Sequence, residues 1–451
     1  MKRFMRIGAI VLAIMMIAMV GLAYATGDDD TYTGSGSSNA ITGTGNRIGE
    51  TTIPLTKSIV FFNKNGSNVY EPNITFNYAV TPATVAADGT TATVTDGSSP
   101  AVTRNVYPGP SGGVTGTSIT FAPGSTTVAT AAAGAEVEES GNLTFVPSAF
   151  TKPGIYRYVI TESVAGTGTD AQNLAAAGLT ARDAGYTTTR YLDVYVRNAT
   201  SGLEMYGAVI FVSTGSTAGT DSITTSTEKT TGFQPGVSGH TTYATDPNVD
   251  KYTTYDFTVK KIVSGSMADK NHDFPFYVTV SNTIDGAKYT YTNDASTAAA
   301  ETISGTSITK GSNDTSSTLK LKHNEQITFV GVPSSQATNL AIVIKEFNDT
   351  YDQYTASTKA KKGMLSIANT NDSDPATTTG VMTATSGSMI TGSFDIVTND
   401  DDAQILTIDN NLTEISPTGY VSRFAPYALI LVGGIVLLVI AMKKRKHTEE
   451  D

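Results

Sequence analysis

Alternation of apolar and polar residues with a period of two dominates this 451-residue chain. It runs through Asn73-Ile74-Thr75-Phe76-Asn77-Tyr78-Ala79-Val80, Tyr156 to Thr161, Tyr191 to Val196, Phe276 to Val280 and Gln404 to Ile408. In an extended backbone residues two apart share a face, so each run predicts a strand with one buried side. Clusters of Gly, Asn, Asp, Ser and Pro separate the runs, as the turns of an all-β fold require. Two unbroken apolar runs depart from the pattern, Ile7 to Leu22 and Ala425 to Met442, and both predict helices.

The order of elements repeats weakly. Ile53-Pro54-Leu55-Thr56-Lys57, Thr75-Phe76 and Tyr158-Val159-Ile160-Thr161-Glu162 are followed later by Phe257-Thr258-Val259-Lys260-Lys261, Phe274-Pro275-Phe276-Tyr277-Val278 and Ile342-Val343-Ile344-Lys345-Glu346. This predicts two tandem Ig-like β-sandwich domains, residues 51–235 and 251–412, joined by a Gly-, His-, Asp- and Pro-rich linker at 236–250. A flexible leader of Gly, Ser and Thr is expected over 26–50.

Both ends point outside the cell. Lys2, Arg3 and Arg6 precede the first apolar run and Ala23-Tyr24-Ala25 offers a small-x-small cleavage site, so residues 1–25 read as a removed secretory signal. The second run, expected as a transmembrane segment over 425–442, is followed by Lys443-Lys444-Arg445-Lys446. A formal charge of -11 argues against a nucleic-acid partner, and the absence of cysteine leaves an exported β protein without disulfides. His240, His272, His323 and His447 are scattered and no nucleophile motif stands out, so neither an enzyme nor a cofactor is expected. Asn399-Asp400-Asp401-Asp402 reads as a solvated turn rather than a metal site.

Some charges lie on the wrong face. Tyr255, Phe257, Val259 and Lys261 are in phase, as are Ile342, Ile344 and Glu346, and Leu406, Ile408 and Asn410. Earlier in the chain Ile53, Leu55 and Lys57 share a face, and so do Tyr158, Ile160 and Glu162. Burying such groups costs several kcal/mol unless they are paired. Either they sit at wet strand ends or in a buried salt bridge with a hydrogen-bonded Asn, or they react. An apolar pocket favours a neutral amine beside a protonated acid, and that amine can attack the carboxamide of Asn410 and expel ammonia. The product is a Lys-Asn isopeptide bond.

Here the sequence resembles a known family. Thr258-Val259-Lys260-Lys261-Ile262-Val263-Ser264-Gly265 is similar to the opening strand of the isopeptide-forming domain of streptococcal-type major pilin subunits, and Asn410 precedes Pro417 as that family's last Asn precedes its sorting proline. Ala425-Pro426-Tyr427 ahead of a Gly-containing apolar span adds to the likeness. The resemblance implies Lys261 as nucleophile, Asn410 as electrophile and Glu346 as catalytic acid and base. In the first domain Phe150 to Tyr158 is similar to the strand leading into the family's glutamate, which implies Glu162 as the acid and Lys57 as the nucleophile. The expected Asn is missing, because Phe233-Gln234 is followed by Pro235. Either that bond is absent or another residue, such as Asn248, substitutes.

Pro417-Thr418-Gly419 resembles the family's sorting signal, with Ser416 before it. The resemblance implies a sortase cutting between Thr418 and Gly419 and passing Thr418 to an amine, for which Lys229 is the nearest match. Implied partners are the sortase, neighbouring pilin subunits, peptidoglycan, and accessory or tip pilins. A monomeric wall-anchored adhesin or stalk is the alternative.

Overall fold

The computed structural model describes residues 52–63, 65–84, 93–95, 103–199, 202–212, 229–235, 243–244, 246–294, 298–314, 316–334, 340–347, 354–361, 365–367, 377–382, 390–396, 404–413, 427 and 429–440. Most of them are β strand. A short α-helix, Asp170–Ala176, lies between strands and is started by a capping box in which Thr169 accepts from the Gln172 N–H and the Gln172 side chain reaches back.

The strand Asp250–Ser264 organises the molecule. Its first part runs parallel to the opening strand Thr52–Asn63, from Ile59 beside Asp250 to Asn63 beside Thr254. Its second part lies between the antiparallel strand Gln326–Pro333 and the parallel closing strand Gln404–Asn411. One strand therefore serves two hydrophobic cores. The first gathers Leu55, Phe61, Phe76, Phe121, Ile160, Leu192 and Tyr252, and the second Phe257, Val259, Phe276, Phe329, Ile344 and Ile408. Each fully buried side chain of this size contributes roughly 1.5–3 kcal/mol.

The changeover occurs between Asp256 and Phe257, both buried, opposite a β-bulge whose extra residue lies on Gln326–Pro333, since Tyr255 pairs with Val332 and Phe257 with Phe329. Asp250–Ser264 itself gains no residue there, so its even and odd positions lie on opposite faces throughout. Asp250, Tyr252 and Thr254 consequently face the first core, and Phe257, Val259, Lys261 and Val263 the second. Tyr255, expected in phase with Lys261, is half-buried and packs against the second core with Phe257 and Val259.

Asp256 also ties the two cores together. Its carboxylate accepts from Asn63 Nδ2 at 2.9 Å and Asn65 Nδ2 at 3.2 Å on the first side, and from the Gly331 N–H at 2.8 Å on the second. Ser67 Oγ donates to it as well. Asp256→Ala strands these donors and is expected to lower stability by about 1–3 kcal/mol or more. Chemical denaturation measures this, and an unchanged midpoint would show that the joint is dispensable. At the far end of the strand Gly265 adopts φ +98, and a Cβ there would lie 2.1 Å from the Leu412 carbonyl oxygen. Only glycine lets the closing strand dock this closely, with the Leu412 N–H donating to the Ser264 carbonyl at 2.9 Å.

Opposite these strands lie two further sheets. Gly154–Val164, Ile74–Pro82, Thr189–Ala199 and Gly202–Val212 cover the first core, while Phe274–Ser281, Ala341–Glu346 and Ile390–Ile396 cover the second. The signal expected at 1–25 and the leader at 26–50 lie outside the described residues. Of the transmembrane segment expected over 425–442, residues 429–440 are helical and exposed. Among the described residues no helix is long and apolar enough to cross a membrane.

Candidate functional site

Each core encloses one buried lysine beside one buried glutamate. In the second, Lys261 enters from the shared strand and Glu346 from the last position of Ala341–Glu346 on the facing sheet, both with 0% of the side chain exposed. Lys261 Nζ donates to Glu346 Oε2 at 2.9 Å. Asn410 comes from the closing strand, where it pairs with Val263, two residues beyond Lys261, so lysine and amide share a face diagonally. Asn410 Nδ2 donates to Glu346 Oε1, and Asn410 Oδ1 is buried with no hydrogen-bond partner among the described residues. Lys261 Nζ lies 4.4 Å from the centre of the Phe274 ring. Burial pushes the Lys261 ammonium below its ordinary range, with Glu346 opposing this only in part. The arrangement brings an amine, an amide and one proton acceptor together out of water.

The first core repeats the geometry. Lys57 lies on Thr52–Asn63, with Nζ 4.5 Å from the centre of the Phe76 ring, and Glu162 faces it from Gly154–Val164. Lys57 Nζ is 3.3 Å from Glu162 Oε2 and 2.5 Å from Asp250 Oδ2. Asp250 pairs with Ile59, two residues beyond Lys57, the same offset that relates Asn410 to Lys261. The position corresponding to Asn410 is thus held by a carboxylate, reached only after the chain leaves Gly232–Phe233, which runs beside Thr56 and Lys57, and returns.

Around this triad the first site carries more groups. Arg182 donates through Nε to Asp250 Oδ1 at 2.9 Å and through Nη2 to Asp250 Oδ2 at 3.0 Å, and it also reaches Glu162. Tyr186 Oη accepts from Lys57 at 2.8 Å and donates to Glu162 Oε1 at 2.6 Å, while Tyr78 Oη donates to Glu162 Oε2 at 2.7 Å. Burial acts to raise the Asp250 carboxyl, but Lys57 and Arg182 outweigh it and hold the group below the ordinary aspartate range. Burial, then the neighbouring carboxylates, push the Tyr186 and Tyr78 phenols well above theirs.

The chain is similar in structure to bacterial major pilins. The major pilin of Streptococcus pyogenes aligns at 19% identity and a TM-score of 0.38, covering 80% of this chain and 99% of that one. A second major pilin of the same organism aligns at 17% identity and 0.38, covering 81% and 100%. A pilus-presented adhesin aligns at 11% identity and 0.21, covering 80% and 100%. A family described as "Domain of unknown function (DUF7601)" matches residues 255–381. No curated protein matches the sequence.

The structure brings Lys261, Glu346 and Asn410 together, and separately Lys57 and Glu162. Asn248, the residue expected as a substitute, accepts from the Thr187 N–H at 3.2 Å instead, and Asp250 stands at the lysine. Lys229 begins the short strand Lys229–Thr230, paired with Phe211. Pro417, Thr418 and Gly419 lie outside the described residues. Among the described residues no cluster of His, Asp and Glu is arranged to hold a metal ion. Sequence reasoning missed Asp250, Arg182 and Tyr186. Asp250 left one usable signal, its even spacing with Tyr252 and Thr254, whereas Arg182 and Tyr186 sit in a loop without period.

Proposed function

We propose that this chain is the structural backbone subunit of a covalently polymerised cell-surface pilus. The two cores are then tandem Ig-like β-sandwich domains, the second closed by an isopeptide bond between Lys261 and Asn410. The observation that carries this reading is the buried placement of Glu346, in hydrogen-bond contact with both the attacking amine and the leaving amide nitrogen. The Lys261 Nζ–Asn410 Cγ bond forms and the Cγ–Nδ2 bond breaks. Glu346 takes the proton that Lys261 gives up and delivers it to Nδ2, which departs as ammonia. No external catalyst or oxidant is needed, and the chain is not an enzyme in any other sense.

A tryptic map of the full chain tests this. One peptide pair joined through Lys261 and Asn410, lighter than its parts by one ammonia, is expected; the two peptides found separate would sink the bond.

The tail supports joining between subunits. A sortase cutting after Thr418 would transfer its carbonyl to Lys229 of a neighbouring subunit, and the last subunit to peptidoglycan, with accessory or tip pilins attached by the same chemistry. Boiled wall extracts probed for the ectodomain are expected to show a high-mass ladder that Lys229→Arg reduces to the monomer band. A single band in the parent would favour the wall-anchored adhesin.

A further inference from the structure

The two lysine sites share strand register, facing glutamate and aromatic ring, yet differ in what surrounds the glutamate. Glu346 contacts Lys261 and Asn410. Opposite it in the strand pairing stands Phe276, which has no hydrogen to donate. Glu162 stands opposite Tyr78, and four groups hold it: Tyr78, Tyr186, Lys57 and Arg182. The electrophile differs too. Asn410 leaves Oδ1 unpartnered, whereas both oxygens of Asp250 accept from the Arg182 guanidinium and one of them from Lys57 as well.

We propose that Arg182 holds Lys57, Glu162 and Asp250 as a permanent ion-pair clasp, so that the first core is closed by charge where the second is closed by a bond. The inference rests on the reading of the Lys261 site given above. Amide formation from an amine and a carboxylic acid expels water and requires both in neutral form, because a carboxylate repels a nucleophile and has no viable leaving group. A bidentate guanidinium stabilises the carboxylate and so opposes that form. Lys57 and Arg182 meet the buried charges of Glu162 and Asp250 without reaction, and Arg182 also reaches the more exposed Asp170 at 3.4 Å. The carboxylate side chains are 0% exposed, Lys57 is 1% exposed and Arg182 9%, so water does not loosen the clasp. Glu162, fixed by four donors, is not free to ferry a proton as Glu346 is. Arg182 is on this account a positioning residue that determines the outcome at the site.

The same tryptic map of the full chain reads both claims on different peptides. Denatured protein is expected to be cleaved after Lys57, with the Lys57 and Asp250 peptides separate and at full mass. A joined pair lighter than its parts by one water would overturn the clasp whatever the state of Lys261 and Asn410. A gain-of-bond variant adds a readout that a merely structural role would not move. Arg182→Met combined with Asp250→Asn leaves Lys57, Glu162 and an amide, the composition of the second site, and is expected to join Lys57 to residue 250 with loss of one ammonia. If that variant folds, forms the Lys261–Asn410 pair and keeps Lys57 free, Arg182 and Asp250 are not what prevents reaction and the proposal fails. If it does not fold, the parent map decides alone.

Discussion

Glu346→Gln is expected to leave the second core folded but open, with Lys261 and Asn410 recovered on separate peptides and no ammonia lost. Gln has nearly the shape of Glu and still offers an oxygen to Lys261, so packing around Phe274 and Phe276 has no reason to change. It cannot take up the amine's proton, and without that transfer the amide nitrogen has no way to leave. The consequence for stability is large. A bond between residues 261 and 410 would constrain the unfolded chain over a loop of ~150 residues, worth about 5 kcal/mol in the chain-entropy treatment of cross-links. The variant should therefore unfold at lower denaturant and migrate as a more extended chain in denaturing gels. Full cross-linking in Glu346→Gln would remove the glutamate from the chemistry.

Arg182→Ala is expected to damage the first core and spare the second. With the guanidinium gone, Glu162 and Asp250 share one ammonium, leaving a carboxylate uncompensated in a site closed to water. Removing one partner of such a buried set costs about 3–5 kcal/mol. Thermal unfolding should show a lowered first transition, with the second in place.

The pH dependence follows from the same groups. The folded Asp250 carboxyl lies below its ordinary value, because Lys57 and Arg182 together outweigh burial. Its contribution is therefore complete above the unfolded aspartate value of about 3.9 and is lost as pH falls through the lower folded value. In the parent the first core should melt earlier at pH about 3 than at pH about 7, while a second core held by a bond changes less. Arg182→Ala should flatten that difference, since part of what lowers Asp250 is gone. An acid response identical in parent and variant would show that the guanidinium does not hold Asp250 charged.

Two kinds of information are separable here. Alternation along single strands was enough to place Lys57, Glu162, Lys261, Glu346 and Asn410 on inward faces, since a strand's faces depend only on parity along the chain. The mostly β character was legible for the same reason, as was the repeat of lysine strand and glutamate strand. Parity does not say which core a face meets, and along Asp250–Ser264 Tyr252 meets the first while Phe257 and Val259 meet the second. Beyond that, partners contributed by distant segments have no local trace. Asp250 reaches Lys57 only because the chain leaves the sheet after Phe233 and re-enters along the same edge. Arg182 reaches Asp250 and Glu162 from a loop whose sequence carries no period. The chain alone thus determined which side chains are buried, and the tertiary structure decided which charges surround them. Burial follows from local pattern, whereas the charge balance of a closed site is a sum over segments that meet only when folded.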